Sequence, residues 1–501
     1  MLGGEDAAWL HMEDATNPMV VNGVLELADR LSMERVHALI ARVAALPRLR
    51  ARIVESALHA GPPHFEEVAN FDFTQHIEHV TLASPDDATL RAFIGDAVST
   101  LLDRDRPLWR VYVIDRPSAG TTILYRIHHA IGDGFALLGI LLSICDGDGA
   151  RAPMPAIPRR PRAATVLACT KALARIVVLP PDPRTLLKGA LGRQKTVAWS
   201  QPIALADVKS TARAVSATIN DVLVATAAGA IGRYLARRGQ DVDDLETRAM
   251  VPVDLRGGAT PTDLSNRFGL VVLGLPVGIR DPRSRVAAVK QRMDRLKGSP
   301  EPLVTHATLR VLGWSPRPIE KLGVWFFGTK ASVVLTNVPG PRTQLRLAGV
   351  PVSRMMFWVP QSGRMGLGIS IFSYAGTVTI GIVVDAGLVP DPDALVADLH
   401  AELLALRAQA RGAPPTTDDR PDGATAPRTR RRRTRRRPDA PRRAGRSQGS
   451  SGPRRRSPGC RAGARASRSA RRGRRAGPAS DRRADRWSWA ACRSRRRDRP
   501  R

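Results

Sequence analysis

Residues 121–134 read TTILYRIHHAIGDG, and this stretch decides how the rest of the chain is understood. Apolar and polar residues alternate from Thr121 to His129, the period of a half-buried strand. The preceding run at 108–116, LWRVYVIDR, alternates in the same way, and Pro117–Gly120 supplies a turn, so the two runs predict a hairpin. Ala130–Gly134 is then a short loop, followed at 135–145 by FALLGILLSIC, an apolar run of the length of a buried helix. Successive side chains on a strand face opposite ways. His129 therefore shares a face with Ile123, Tyr125 and Ile127, whereas His128 shares the other with Thr122, Leu124 and Arg126. A histidine that ends an apolar row before a glycine-containing turn suits a general base in a water-poor channel. Gly132 and Gly134 permit positive φ or close backbone approach, so that Asp133 can turn back beside the strand end.

Other chemistries fit the chain poorly. Two histidines and an aspartate suggest a metal, but adjacent strand histidines diverge and no third ligand lies nearby, so no metal is expected. The G-x-S-x-G of a nucleophile elbow occurs only at 445–449, GRSQG, with no strand before it. Neither a Walker loop nor a G-x-G-x-x-G fingerprint is present.

Moving outward, Val36, Leu39, Ile40 and Val43 recur at helical spacing, with Ser32 placed to cap them and Pro47 just beyond. Residues 147–164 turn rich in Pro, Gly and Arg, the best internal boundary. A helical connector at about 164–177 and a Pro-containing loop to about 200 follow. Residues 218–238 read as a long small-residue helix, with Asn220 and Asp221 where helix caps belong. Strands are expected at 248–253, 268–275, 332–336, 367–373 and 376–384, and an amphipathic helix at about 391–409. The resulting division is an N-terminal lobe at 1–150, a crossover at 151–200, a C-terminal lobe at 201–410 and a tail at 411–501.

The formal charge of +32 suggests a nucleic-acid or membrane binder, but the charge is not evenly spread. Residues 411–501 hold 32 Arg, no Lys and 7 Asp, a net of +25, while the other 410 residues hold 46 basic and 39 acidic side chains, a net of +7. The tail has almost no aliphatic residues and should be disordered. No specific nucleic-acid partner is expected of the body. The four cysteines form no CxxC pair, which fits a reducing compartment. The start, MLGGEDAAWLHMED, is acidic where a signal peptide needs a basic region, and no apolar run reaches a membrane span. These features lead us to expect a cytoplasmic body.

His128–Gly134 fits the HHxxxDG motif of the CoA-dependent acyltransferase superfamily, and the surrounding sequence resembles the bacterial wax ester synthase/diacylglycerol acyltransferase branch. The resemblance runs from about Glu5 to Ala408. It includes an opening like DAxWLxxE…NPM, Pro107-Leu108-Trp109, Asn220-Asp221, the run Val251 to Arg256 (VPVDLR), Asn266 to Gly269 (NRFG), and Thr336 to Pro341 (TNVPGP). Ser373 to Gly376 (SYAG), Gly381 and Asp385 complete it. Two local departures are Val20, where a histidine is usual after Pro-Met, and Ser265, where a glycine is usual before Asn266.

The resemblance implies an α/β (α+β) fold of two chloramphenicol-acetyltransferase-like lobes with mixed sheets and an active-site tunnel between them. It implies that His129 is the base, with His128 and Asp133 beside it, and that an acyl group passes from acyl-CoA to diacylglycerol or a long-chain alcohol. No cofactor is implied, because acyl-CoA is a substrate. Asp133 would pair with Arg50 behind the site. Gly134, Asn220, Asp221 and Asn337 would support the site structurally, while Pro107–Trp109 could as well be a packing corner. The insoluble substrates imply a peripheral position on the inner membrane or on lipid droplets. Transfer of a polyketide or other acyl group to a lipid diol or amine keeps the same fold and remains open, with non-catalytic lipid binding a third reading.

Overall fold

The hairpin read from residues 108–129 is the centre of a mixed sheet. Strands Trp109–Asp115 and Thr121–His128 pair antiparallel, with Val111 opposite Tyr125. Val20–Leu27 pairs antiparallel with Thr121–His128 and sets Val20 opposite His128. Val350–Trp358 joins on its far side, Ile77–Thr81 runs parallel to Trp109–Asp115 at one edge, and the short Arg346–Leu347 closes the other. The computed structural model describes residues 1–55, 62–146, 166–256, 264–361, 363 and 365–412. The expected tail from 413 onward and the Pro/Arg-rich boundary at 147–164 lie outside the described residues.

A second mixed sheet follows the order Phe268–Leu275, Thr247–Asp254, Val333–Pro339, Leu367–Tyr374, Thr377–Asp385, Lys195–Trp199. Its inner strand Val333–Pro339 runs parallel to both neighbours. That strand is apolar along most of its length, as expected of a strand covered on both faces. Helices Ile219–Arg237 and Pro392–Arg411 pack against this sheet and share its core. A smaller cluster joins the two sheets: Leu124, Met356 and Trp358 from the first meet Trp199 and Val383 from the second, with Leu90 and Ile94 of helix Asp87–Val98 beside them. Trp199 and Trp358 have ring centroids 5.8 Å apart at its centre.

Several expectations correspond closely to elements. Ser32 caps helix Met33–Ala44 through its hydroxyl, which accepts from the Arg35 amide. Helix Gly134–Ile144 follows the loop directly, and a helix occupies Val166–Val178. The long helix Ile219–Arg237 is capped one residue pair earlier than expected. Thr218 accepts from the Asp221 amide and the Asp221 carboxylate accepts from the Thr218 amide, a reciprocal capping box.

Sheet membership departs from chain order in two places. Lys195–Trp199, inside the stretch read as a crossover, is an edge strand of the second sheet. Val350–Trp358, within the stretch read as the C-terminal lobe, crosses to the first sheet and pairs with Val20–Leu27. Val20–Leu27 itself is buried along its whole length, so it lacks the alternation that marks a strand. Among the described residues no single helix is long and apolar enough to cross a membrane.

Candidate active site

The strand Thr121–His128 ends at the edge where the first sheet faces the strands Thr247–Asp254 and Phe268–Leu275, and the two histidines part there. His128 is fully buried. Its Nδ1 accepts from the Ala130 amide at 3.0 Å, which leaves the ring proton on Nε2, 3.3 Å from Glu13 Oε1. Glu13 also accepts from the Met19 amide and from Arg104 Nη2. Burial raises the Glu13 pKa, but the adjoining His128 imidazole and the Arg104 guanidinium outweigh it and hold the carboxyl at about 2.

His129 turns the other way. Its ring stacks on Trp9 with centroids 4.3 Å apart and meets Phe268 at 5.5 Å. The backbone is fixed on both sides: the His129 amide donates to Met19 O, and His129 O accepts from Asn266 Nδ2 at 2.7 Å. Nδ1 is enclosed and finds no hydrogen-bond partner among the described residues. Burial pushes the imidazole down to about 4 against the pull of Asp133, so the ring is neutral at physiological pH.

Asp133 caps the helix Gly134–Ile144 by accepting from the Ala136 amide at 3.0 Å. Its second oxygen accepts from the Arg267 amide at 2.9 Å and lies 2.8 Å from Arg256 Nη2. The expected Asp133–Arg50 pair is therefore corrected: Arg50 lies 3.2 Å from Glu67 in an exposed pair, and Asp133 takes its cation from Arg256. The physical reason lies in placement. Arg50 ends the 3₁₀ turn Pro47–Leu49 beside the small Ala51–Val54/His64–Glu67 hairpin, whereas Arg256 follows a strand that ends over the motif helix. Arg48, two residues earlier, does reach the motif, donating to Ile131 O at 2.9 Å and to Asp6 at 3.0 Å.

Asp6, Asn266 and Arg48 thus form a polar clasp around the turn. Asp6 is wholly buried and accepts from both the amide and the side chain of Asn266. Desolvation raises its pKa, with Arg48 and Asn266 opposing. Of the two glycines in the motif, Gly132 is needed for close approach, since a Cβ there would stand 2.5 Å from Leu264 O. Gly134 meets nothing within 4 Å and has no left-handed φ, so it is required by neither criterion.

The remaining expected support residues sit further off. Asn337 Nδ2 donates to Asn220 Oδ1 at 2.8 Å, tying strand Val333–Pro339 to the start of the long helix, while Asp221 is spent on the cap. Trp109 is a packing corner: it is buried, stacks on His76 and donates to Leu49 O. Trp9, Glu13, Asp6 and Asn266 were not singled out from sequence. All four lie in quoted motifs, but nothing in the spacing says which of them reach the histidines or the turn that carries them.

Two apolar cavities adjoin this region. One is lined by Trp9, Met250, Leu270, Leu309, Phe327 and neighbours. The other is lined by Gly134, Tyr125, Leu137, Phe357 and Phe372 among others. Trp9 is the side chain that belongs both to the first cavity and to the packing around His129.

Comparison with known proteins shows the family to which a chain of this fold belongs. Residues 2–179 match the wax ester synthase/diacylglycerol acyltransferase catalytic domain, and residues 264–407 match the WS/DGAT C-terminal domain. A putative diacylglycerol O-acyltransferase of Mycobacterium tuberculosis H37Rv is 29% identical, the alignment covering 78% of this chain and 86% of that protein. A probable diacylglycerol O-acyltransferase of the same strain is 25% identical over 80% of this chain and 95% of its own length. Among solved structures, the wax ester synthase/diacylglycerol acyltransferase of Marinobacter aquaeolei VT8 superposes with a TM-score of 0.62 at 21% identity, over 82% of this chain and 99% of that one. The trichothecene 15-O-acetyltransferase of Fusarium sporotrichioides shares the fold at a TM-score of 0.57 and 13% identity, over 81% and 94% of the two chains. The chain belongs to the wax ester synthase/diacylglycerol acyltransferase family and is an acyltransferase.

Proposed function

We propose that His129 is the general base for direct transfer of a fatty acyl group from acyl-CoA to the hydroxyl of diacylglycerol or a long-chain alcohol. The observation that carries this reading is a desolvated, neutral imidazole fixed through its backbone on both sides and packed under Trp9, which itself lines an apolar cavity. A neutral imidazole can accept a proton, and an apolar cavity suits an acyl or alkyl chain.

In this scheme His129 takes the acceptor's hydroxyl proton as the oxygen attacks the thioester carbonyl. The tetrahedral oxyanion collapses, the C–S bond breaks, and the imidazolium returns its proton to the departing CoA sulfur. The product is triacylglycerol or wax ester plus CoA, with neither a covalent acyl-enzyme nor a cofactor in the scheme. His128 serves by holding the turn, since its Nδ1 is committed to the Ala130 amide and its Nε2 faces Glu13. Asp133 orients the loop and the helix rather than touching the imidazole, because both its oxygens are engaged by Ala136, Arg267 and Arg256. Because both lipid substrates are insoluble, the protein works at a peripheral membrane or lipid-droplet surface on the cytoplasmic side.

Purified protein given palmitoyl-CoA with either diacylglycerol or a long-chain alcohol should release CoA and form ester. General-base catalysis contributes roughly 10²–10⁴-fold, so His129→Ala should lose at least about 100-fold in kcat. Ester formation at an undiminished rate by that variant overturns the assignment.

A further inference from the structure

Three helices enclose the cavity beneath Trp9: Val166–Val178, Glu301–Leu312 and Arg317–Gly328 supply Ile176, Leu309, Leu312, Val324 and Phe327 to its lining. They are bound into one group. The helix Glu301–Leu312 packs against both others, Arg175 pairs with Glu301 at 3.1 Å, and Lys330 donates to Leu179 O just past the first helix. A helix that covers a cavity needs one apolar face and a polar outer one. These helices are apolar on the outside as well.

Trp314 is 53% exposed and Trp325 54%, with Val311, Ile319 and Leu322 still more open around them. On the neighbouring helix Val166, Leu167, Val177 and Val178 are also more than half exposed. Ile319, Leu322 and Trp325 follow at steps of three, so they share one stripe. Single exposed apolar residues are ordinary, but a cluster of this kind marks a contact surface.

The charges on the same helices choose among possible occupants. Their exposed charged side chains are Lys171, Arg175, Arg310 and Lys321, all cations. Their two acids, Glu301 and Glu320, are buried and paired inward with Arg175 and His11. Arg310 lies over the Trp314 ring at 5.2 Å. Exposed tryptophans and aliphatics among cations, without an exposed acid, are what an anionic bilayer interface accepts: rings at the headgroup level, aliphatics below, cations against phosphate. A protein partner would ordinarily be met with charges of both signs at the rim.

We infer that the outer face of helices Val166–Val178, Glu301–Leu312 and Arg317–Gly328 docks on an anionic lipid surface, setting the apolar cavity directly beneath the lipid from which substrate is drawn. This rests on the lipid-surface reading proposed above and names the face that makes the contact.

The test uses the full chain and vesicles of phosphatidylcholine with or without phosphatidylglycerol. Because the arginine-rich C-terminal sequence also attracts anionic lipid, binding is measured at low salt and again at about 0.5 M, where charge attraction is screened within several ångströms. The triple variant Trp314→Ser/Ile319→Ser/Trp325→Ser should lose at least roughly tenfold in the salt-resistant part of vesicle affinity, given the apolar area withdrawn. Arg310→Glu/Lys321→Glu should weaken the preference for phosphatidylglycerol at low salt. Turnover of a short, water-soluble alcohol with acyl-CoA should stay at the parent level in both variants, which also reports that they fold. Salt-resistant binding unchanged in the triple variant overturns this face alone. A parent chain that binds neither vesicle overturns the lipid-surface reading with it. If the triple variant instead turns a self-associating parent into a monomer and leaves vesicle binding intact, a second copy covers the face and the inference is wrong.

Discussion

Asp133 Oδ2 and Arg256 Nη2 stand 2.8 Å apart, each nearly closed off from solvent, and they join the motif helix of the first sheet to the end of a strand in the second. Asp254 also reaches Arg256 at 3.1 Å, so one guanidinium neutralises two carboxylates. Removing one partner of a buried ion pair costs about 3–5 kcal/mol, because the other charge is left uncompensated. Arg256→Ala should therefore lower unfolding stability by about that amount, measured by urea titration. Asp133→Asn in the same chain should recover part of the loss, giving a coupling energy in a double-mutant cycle. Arg50→Ala should change stability by less than about 1 kcal/mol, since its pair with Glu67 is exposed.

The depressed pKa of His129 has a direct kinetic consequence. Only the unprotonated imidazole can act as base, so the rate should fall on the acid side with a midpoint near 4 rather than at the ordinary histidine value of 6.5. The cause is burial, and Trp9 is the ring stacked on the imidazole. Trp9→Ala admits water, reduces the desolvation and should move the acid limb upward toward 6.5. The stability sign runs the same way: below 6.5 the unfolded chain binds a proton that the folded chain resists. This contribution is complete above 6.5 and is lost as pH falls through 4. A pH–kcat/KM profile of parent and Trp9→Ala checks the shift, and superimposable acid limbs would mean that Trp9 does not set it.

The two glycines of the motif should respond oppositely to alanine. At Gly132 the new methyl group would stand 2.5 Å from Leu264 O, a backbone atom that cannot swing aside. Overpacking of this kind costs about 1–3 kcal/mol, and it displaces the turn that carries His129. Gly132→Ala should lower both Tm and kcat. At Gly134 the space is open and the residue begins a helix, so alanine should be neutral or stabilise by up to about 1 kcal/mol. Thermal unfolding of the two single variants separates the cases.

How much of this was legible follows from the range of each interaction. The strand, turn and helix around His128–Gly134 were readable because period and turn chemistry are local, and the divergence of the two histidines follows from the strand's period alone. The identity of the cation facing Asp133 was not readable, because Arg256 arrives through the pairing of a distant strand and no spacing encodes it. Arg50 and Arg48 show how narrow the margin is: two residues separate an exposed pair with Glu67 from a bond to the motif at Ile131 O. Strand Val20–Leu27, buried on both faces, carries no alternation to read. The crossing of Val350–Trp358 into the first sheet is likewise a matter of topology, since a strand's sequence does not name its partner. The Asn220–Asn337 bond was within reach as two marked residues, but only the fold shows that they meet.

Glu13 should reveal its tie to His128 in acid. Its folded pKa of about 2 lies below the ordinary 4.5: burial raises it, and His128 and Arg104 more than reverse that effect. A depressed carboxyl contributes stability that is complete above about 4.5 and is lost as pH falls through 2. Glu13→Gln removes the titrating group while keeping the shape of the side chain. The variant should be less stable than the parent at pH 7, and the gap should narrow as pH drops from 4.5 toward 2. Because Glu13 holds His128 and not His129, kcat should fall less in Glu13→Gln than in His129→Ala. The acid midpoint near 4 should stay in place in Glu13→Gln, since the burial that sets it surrounds the other imidazole. Urea unfolding at stepped pH, run beside the pH–rate profile, measures both effects, and a parallel loss of stability in parent and variant would assign the acid sensitivity elsewhere.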